Sequence, residues 1–186
     1  MKSEKEKMLE GELYNPLDPQ LSAERRRARL LLKAFNDTRA DRLEERDRLI
    51  EELIPAMGLG CWIEPPFYCD YGNNITLGEK VFFNFNCVVL DVAPVAIGSS
   101  VFFGPAAQIY TATHPLSATE RRMGLELGRS VRIDDDVWVG GGAIICPGVH
   151  VGTKSVIGAG SVVTKDIPAG VVAVGNPCRV IRRIEE

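Results

Sequence analysis

A period of six residues constrains this chain more than any other feature. Every sixth position from Ile133 reads Ile133, Val139, Ile145, Val151, Ile157 and Val163, aliphatic without exception. Four residues after each stand Val137, Ala143, Val149, Ser155, Ser161 and Ile167, mostly small or β-branched, and glycine follows three of the aliphatics at Gly140, Gly152 and Gly158. The same register occurs earlier as Ile97, Phe103 and Ile109 and, before a two-residue slip, as Leu77, Phe83 and Val89. A unit of six can supply one short strand and one turn, and three units close a triangular coil of roughly 18 residues. The aliphatic then points into the prism and stacks on its equivalents, the position four later lies near a corner where small side chains fit, and glycine permits the tight turn. Ordinary glycine-rich strands do not hold phase over so many consecutive units. The pattern therefore predicts a mainly β fold, a parallel β-helix. Its hand does not follow from the period; the usual rule for crossovers favours right-handed connections.

The first part of the chain has a different grammar. Residues 1–57 hold 25 of the 47 charged residues and only one of the 18 glycines, Gly11. This shift marks a boundary near Pro55–Gly60, between an N-terminal helical segment (1–57) and the β-helix (58–186). Leu30, Leu31, Ala34 and Phe35 fall at helical spacing in a helix expected from Ala23 to Phe35, with Ser22 as N-cap. A second helix is expected from Arg39 to Met57, with a stripe of Leu43, Leu49, Ile50, Leu53 and Ile54. Arg25, Arg26, Arg27 and Arg29 form a basic run, which Glu24 and the acidic second helix balance; it reads as a solvated helix face.

Composition removes several classes of function. A chain of 186 residues that is 45% hydrophobic can build one sizeable core and a small appendage. Its formal charge of −3 offers no general attraction to nucleic acid or to anionic membrane. No stretch approaches the roughly 18–20 apolar residues of a membrane span. The charged MKSEKEKMLEGE terminus lacks the apolar core of a signal peptide. Cys61, Cys69, Cys87, Cys146 and Cys178 are scattered and form no CxxC pair, so reduced thiols and a cytoplasmic location are expected, with the cysteines as small apolar fillers.

Phase is lost between Ile109 and Ile133. The polar segment between them reads as a loop over 115–130 extruded from one coil, and loops on rigid scaffolds commonly carry function. His114 stands at its root. Its only fellow, His150, lies in a repeat unit where a side chain faces solvent, and is expected to be structural. An imidazole with an ordinary pKa near ~6.5 is largely neutral at neutral pH and can accept a proton, so His114 is the candidate general base. No cysteine or serine has a histidine beside it in sequence, which favours direct transfer over a covalent intermediate.

With these residues in view, the chain resembles the maltose and galactoside O-acetyltransferases, a branch of the hexapeptide-repeat acyltransferases. The likeness is carried by GELYNPLDPQL, EPPFYCDYG, the NFN triplet Asn84–Asn86, LDVAPVAIG, YTATHP, DDDVWVGGGAIICPGV and IGAGSVVTKDIPAGVVAVGNPCRVIR. CDYG and TATHP look nearer to the maltose type. The resemblance implies a left-handed β-helix, a homotrimer with active sites between subunits, and acetyl-CoA as co-substrate, with no metal. It implies that His114 is the catalytic base and that Asn84 lies near the acetyl group and helps stabilise the transition state. Asn84, Trp138, Gly141, Ala159, Thr164, Lys165, Arg179 and Arg182 match positions along the acetyl-CoA groove. Flat glycine- and alanine-rich coils suit a pantetheine arm, and lysine and arginine suit its phosphates. Trp138 breaks the small-residue rule at a turn position and is expected to project outward. On the acceptor side, Asp70 stands where some members carry serine. A second acid of the galactoside enzymes aligns with Val92, next to Asp91, which speaks against galactoside preference. Asp18 is a further candidate for the acceptor.

The function expected is transfer of acetyl from acetyl-CoA to a hydroxyl of a small sugar such as maltose, glucose or a galactoside. Two alternatives stand beside it: a drug-modifying acetyltransferase on the same fold, against which the N-terminal helices argue, and an inactive trimeric scaffold, against which His114 and Asn84 argue. A zinc carbonic anhydrase of β-helix type needs three histidine ligands, and this chain has two.

Overall fold

The computed structural model describes residues 1–185. The chain winds a three-faced prism. The first face holds the strands Ala56–Met57, Ile75–Leu77, Val95–Ile97, Val131–Ile133 and His150–Val151. The second holds Trp62–Ile63, Phe82–Phe83, Phe102–Phe103, Trp138–Val139, Val156–Ile157 and Val171–Val174. The third holds Phe67–Cys69, Cys87–Leu90, Gln108–Tyr110, Ile144–Ile145 and Val162–Val163. Within each face these strands are parallel; Arg179–Arg183 closes the second face antiparallel to Val171–Val174.

The six-residue register is the inward column of this prism. Ile133, Val139, Ile145, Val151, Ile157 and Val163 are all buried, as are Leu77, Phe83, Val89, Ile97, Phe103 and Ile109. Burying each such side chain contributes about 1.5–3 kcal/mol, and equivalents stack from coil to coil, as in the face-to-face rings of Phe83 and Phe103 at 4.2 Å. The corner positions are buried too. Ser155 and Ser161 remain polar there because each hydroxyl is used: Ser155 donates to Pro168 O at 2.7 Å and Ser161 accepts from the Gly175 N–H at 3.1 Å. The two-residue slip has a structural counterpart. Early coils pair at a spacing of twenty (Leu77 with Ile97, Val89 with Ile109) and later coils at eighteen (Ile133 with Val151, Val139 with Ile157).

The N-terminal segment is not a separate core. Helices α1 (Glu4–Leu9), α2 (Pro19–Asp37) and α3 (Leu43–Leu53) precede the prism. Ala28, Leu32 and Phe35 of α2 and Leu49, Ile50 and Leu53 of α3 join one apolar cluster with the first coil's Ile63 and Phe67. An open β-helix end exposes apolar side chains and unpaired strand edges, and a cap removes both. Two sequence expectations are corrected here, and one helix is added. Helix α2 starts four residues before Ala23, because Asp18 rather than Ser22 is the N-cap and Pro19 suits the first turn. Helix α3 is shorter than Arg39–Met57; residues 56–57 already belong to a strand. Helix α1 was not expected, although Ser3 and Glu6 form a capping box around its start. Among the described residues no helix is long and apolar enough to cross a membrane.

The segment expected as a loop is a closed excursion. Ala112–Thr113 pairs antiparallel with Leu127–Gly128 to form a neck, and a short helix, α4 (Ala118–Arg121), lies beyond it.

Candidate active site

The prism's edges place the candidate residues. At the edge between the second and third faces, corners succeed one another as Asn84, Gly104–Pro105, Gly140–Gly141 and Gly158–Ala159. They are tied by Asn84 N–H to Phe103 O (3.0 Å), Gly104 N–H to Val139 O (2.8 Å) and Gly160 N–H to Gly141 O (2.9 Å). Gly104 and Gly140 must be small: a Cβ on Gly140 would stand 2.5 Å from Ala159 N, and one on Gly104 equally close to Gly141 N. Asn84, Gly141 and Ala159 thus line one edge. Trp138 stands beside it, in a strand of the second face and not at a turn; its ring is outward and 57% exposed. It follows Phe82 and Phe102 in a column of strand neighbours. Phe82, Asn84, Phe102, Phe103, Gly104 and Trp138 enclose an open cavity of about 440 Å³. Asn84 presents its amide in one sense: Oδ1 accepts the Phe85 N–H at 2.8 Å, so the NH2 end, which has no partner among the described residues, is the free donor.

The edge between the third and first faces carries the other set. Asp70, Asp91, the His114 excursion, Thr164 and Lys165 all follow strands of the third face at this edge. His114 directly follows the neck strand Ala112–Thr113; it is exposed and has no hydrogen-bond partner among the described residues. Asp70 is half-buried. Burial pushes its carboxyl up, while Arg25 pulls it down and Glu126 adds to the rise. Thr164, Lys165, Arg179 and Arg182 are exposed, the last two on the closing strand of the second face.

Two expected acceptor contacts have structural roles. Asp91 is fully buried, and its carboxylate accepts the backbone N–H groups of Asp70, Tyr71 and Gly72 at 2.9, 2.9 and 2.7 Å. It shapes the turn that presents Asp70 and has no surface to offer a sugar. Asp18 caps α2 through the Gln20 and Leu21 N–H groups. His150 lies on a strand of the first face, with Nε2 2.8 Å from Asp134 Oδ2.

The fold is that of known enzymes. The maltose acetyltransferase hexapeptide capping motif matches residues 7–58, and the hexapeptide repeat of succinyl-transferase matches 130–165. Nodulation protein L of Rhizobium leguminosarum bv. viciae is 55% identical over 96% of this chain and 94% of its own. A maltose O-acetyltransferase from Clostridium difficile 630 has a crystal structure 49% identical in sequence, with a TM-score of 0.98 over 100% of this chain and 99% of that one. This chain belongs to the maltose and galactoside O-acetyltransferase family. A galactoside acetyltransferase solved in complex with coenzyme A is also similar, 37% identical with a TM-score of 0.95 over 100% of this chain and 92% of that one.

In this maltose/galactoside-type chain, sequence reasoning missed the groups beside Asp70. Arg25, read as part of a solvated face, is half-buried. It donates to the Tyr71 hydroxyl at 2.6 Å and to the Pro16 carbonyl, and lies 5.7 Å from the Tyr71 ring centroid. Tyr14 donates to Glu126 at 2.9 Å. These partners are 46 and 112 positions apart in sequence, beyond the reach of any local motif. The five cysteines are free, and burial raises each thiol's pKa, so none is an activated nucleophile.

Proposed function

We propose that this acetyltransferase moves the acetyl group of acetyl-CoA to a hydroxyl of a small sugar, with His114 as general base. The observation that carries this reading is His114 held at the end of a hydrogen-bonded neck on a rigid prism, its ring exposed and unengaged. Bound acetyl-CoA supplies the activated acetyl thioester. The residues fit it: the cavity beside Asn84 and Trp138 has aromatic walls for an extended pantetheine arm, and the glycine corners bring the backbone to the surface. Lys165, Arg179 and Arg182 supply charge for phosphates. Thr164 lies beside Lys165 on the same edge.

His114 takes the proton of the acceptor hydroxyl as its oxygen bonds to the acetyl carbon, and returns that proton to the departing thiolate. The free NH2 end of Asn84 donates to the oxygen on which charge develops. Asp70, beside Arg25 and Glu126, orients the acceptor.

The site is shared between subunits of a homotrimer. His114 and Asn84 stand on opposite edges of the third face, and the cavity at Asn84 is not lined by His114. A neighbour's edge supplies the missing half. Trp62, Phe102 and Trp138 expose 39%, 51% and 57% of their surface in the single chain, and Leu116 and Met123 are exposed on the excursion, a large apolar area for one chain to leave uncovered.

The test is thiol release from acetyl-CoA across a panel of sugars, with chloramphenicol and a streptogramin as controls, for wild type and His114→Ala. Sugar-dependent release that vanishes in the variant supports the reading. Release with the antibiotics alone would make this a drug-modifying enzyme, and a stable monomer in light scattering would remove the shared site.

A further inference from the structure

Tyr14 is 1% exposed and takes no part in the chemistry above. Its backbone makes a two-way bridge with Glu126: Tyr14 N–H donates to Glu126 O at 3.0 Å and Glu126 N–H to Tyr14 O at 3.1 Å. Its hydroxyl also donates to Glu126 Oε2 at 2.9 Å. Glu126 leads directly into Leu127–Gly128, the strand paired with Ala112–Thr113, and His114 is the next residue. The Tyr14 ring belongs to an apolar cluster separate from the prism core, with Met8, Leu21, Tyr71 and Val92, and Ala112 of the neck packs against it. Burial first, and the Glu126 carboxylate second, hold the Tyr14 hydroxyl well above its ordinary pKa, so it remains a donor.

We propose that Tyr14 and Glu126 form a clasp by which the N-terminal segment positions His114, with Tyr14 as the positioning residue. The inference rests on the reading of His114 as base. A two-stranded neck of two residues on each side is not stable by itself. Anchoring is needed because a base must lie within hydrogen-bond reach of the proton it takes. A phenol bonded to a carboxylate is a charge-assisted contact and among the stronger ties available. The clasp thus makes the helical segment, 100 residues distant in sequence from His114 at Tyr14, part of the catalytic geometry.

The experiment compares Tyr14→Phe, Glu126→Gln, Glu126→Leu and the Tyr14→Phe/Glu126→Leu double variant. Steady-state kinetics and backbone amide exchange are read on each. Tyr14→Phe keeps the ring and is expected to lower kcat about tenfold, less than the roughly hundredfold that a 1 Å misplacement can cost. KM for acetyl-CoA should not move. Glu126→Gln keeps an acceptor and should retain most activity; Glu126→Leu should match Tyr14→Phe, and the double variant should be no worse than either. The Glu126 and Arg129 amides, which bond to Tyr14 O and Thr111 O, should exchange faster in Tyr14→Phe while coil amides stay protected. Unchanged kcat, unchanged exchange, or additive losses in the double variant would each overturn the clasp. A His114→Ala control separates the two claims: full activity there removes the base assignment, whereas loss there beside an unaffected Tyr14→Phe enzyme removes the clasp alone.

Discussion

The carboxylate of Asp91 accepts the backbone N–H of Gly72 at 2.7 Å, and the same side chain also takes the N–H groups of Asp70 and Tyr71. A buried acid here acts as the fixed centre of a turn whose outer side carries Asp70. Asp91→Ala would leave two buried donors and one partly buried donor without an acceptor, each worth about 1–3 kcal/mol. Chemical denaturation should show a loss of at least about 3 kcal/mol, and KM for the sugar should rise while KM for acetyl-CoA holds. A variant as stable as wild type would show that the turn keeps its shape without the acid.

The same residue sets a pH dependence. Burial pushes its carboxyl up to about 6 from an ordinary 3.8, and the backbone donors offset this only in part. A carboxyl raised in the folded state stabilises the fold fully below its unfolded pKa, and that contribution is lost as pH rises through the folded value. Wild type should therefore lose up to about 3 kcal/mol relative to Asp91→Asn between about pH 4 and pH 6. Urea unfolding at stepped pH measures this; parallel curves for the two proteins would refute it.

His114 is exposed and free of hydrogen bonds within the described chain. His114→Ala should cost no more than about 0.5 kcal/mol of stability and lower kcat by about 10²–10⁴-fold. A large fall in melting temperature would mean that the ring has a structural partner, such as a neighbouring subunit.

Neighbouring glycines should respond unequally to alanine. A Cβ on Gly140 meets backbone at 2.5 Å, whereas Gly142, with φ of +66°, has nothing within 4 Å. Gly140→Ala should cost about 3 kcal/mol or more, the upper end of overpacking, because the atoms it meets are backbone, and should lower acetyl-CoA affinity by displacing the Ala159 corner. Gly142→Ala should cost about 1–2 kcal/mol from its left-handed backbone. Asn86 and Ala106, in the same kind of corner, hold φ of +61° and +58° without glycine. Equal melting temperatures for the two variants would count against the close approach.

Much of the prism was legible because its rule is local. One residue in six must face the interior, so Ile133 through Val163 declare the fold before any contact is known. The helix starts are marked locally too, by Asp18–Pro19 and by Ser3 with Glu6, yet Ser22 was expected as the N-cap of α2 and α1 was not expected at all. The difference between the two acids of the turn was not legible. Asp91 and Asp70 look alike as acidic letters, and only enclosure by the turn separates a buried carboxylate from a half-buried one.

The sequence by itself determined the β-helix, the helical cap, the excursion and His114 as the candidate base, because each follows from periodicity, composition or a short motif. Tertiary structure decided which edge each residue occupies. Asn84 and His114 fall on different edges because successive strands turn from face to face. It also decided that Arg25 leaves solvent for Tyr71 and that Tyr14 clasps Glu126. Those pairings depend on distances closed by winding the coils, and a linear pattern carries no record of which distant side chains the winding brings into contact.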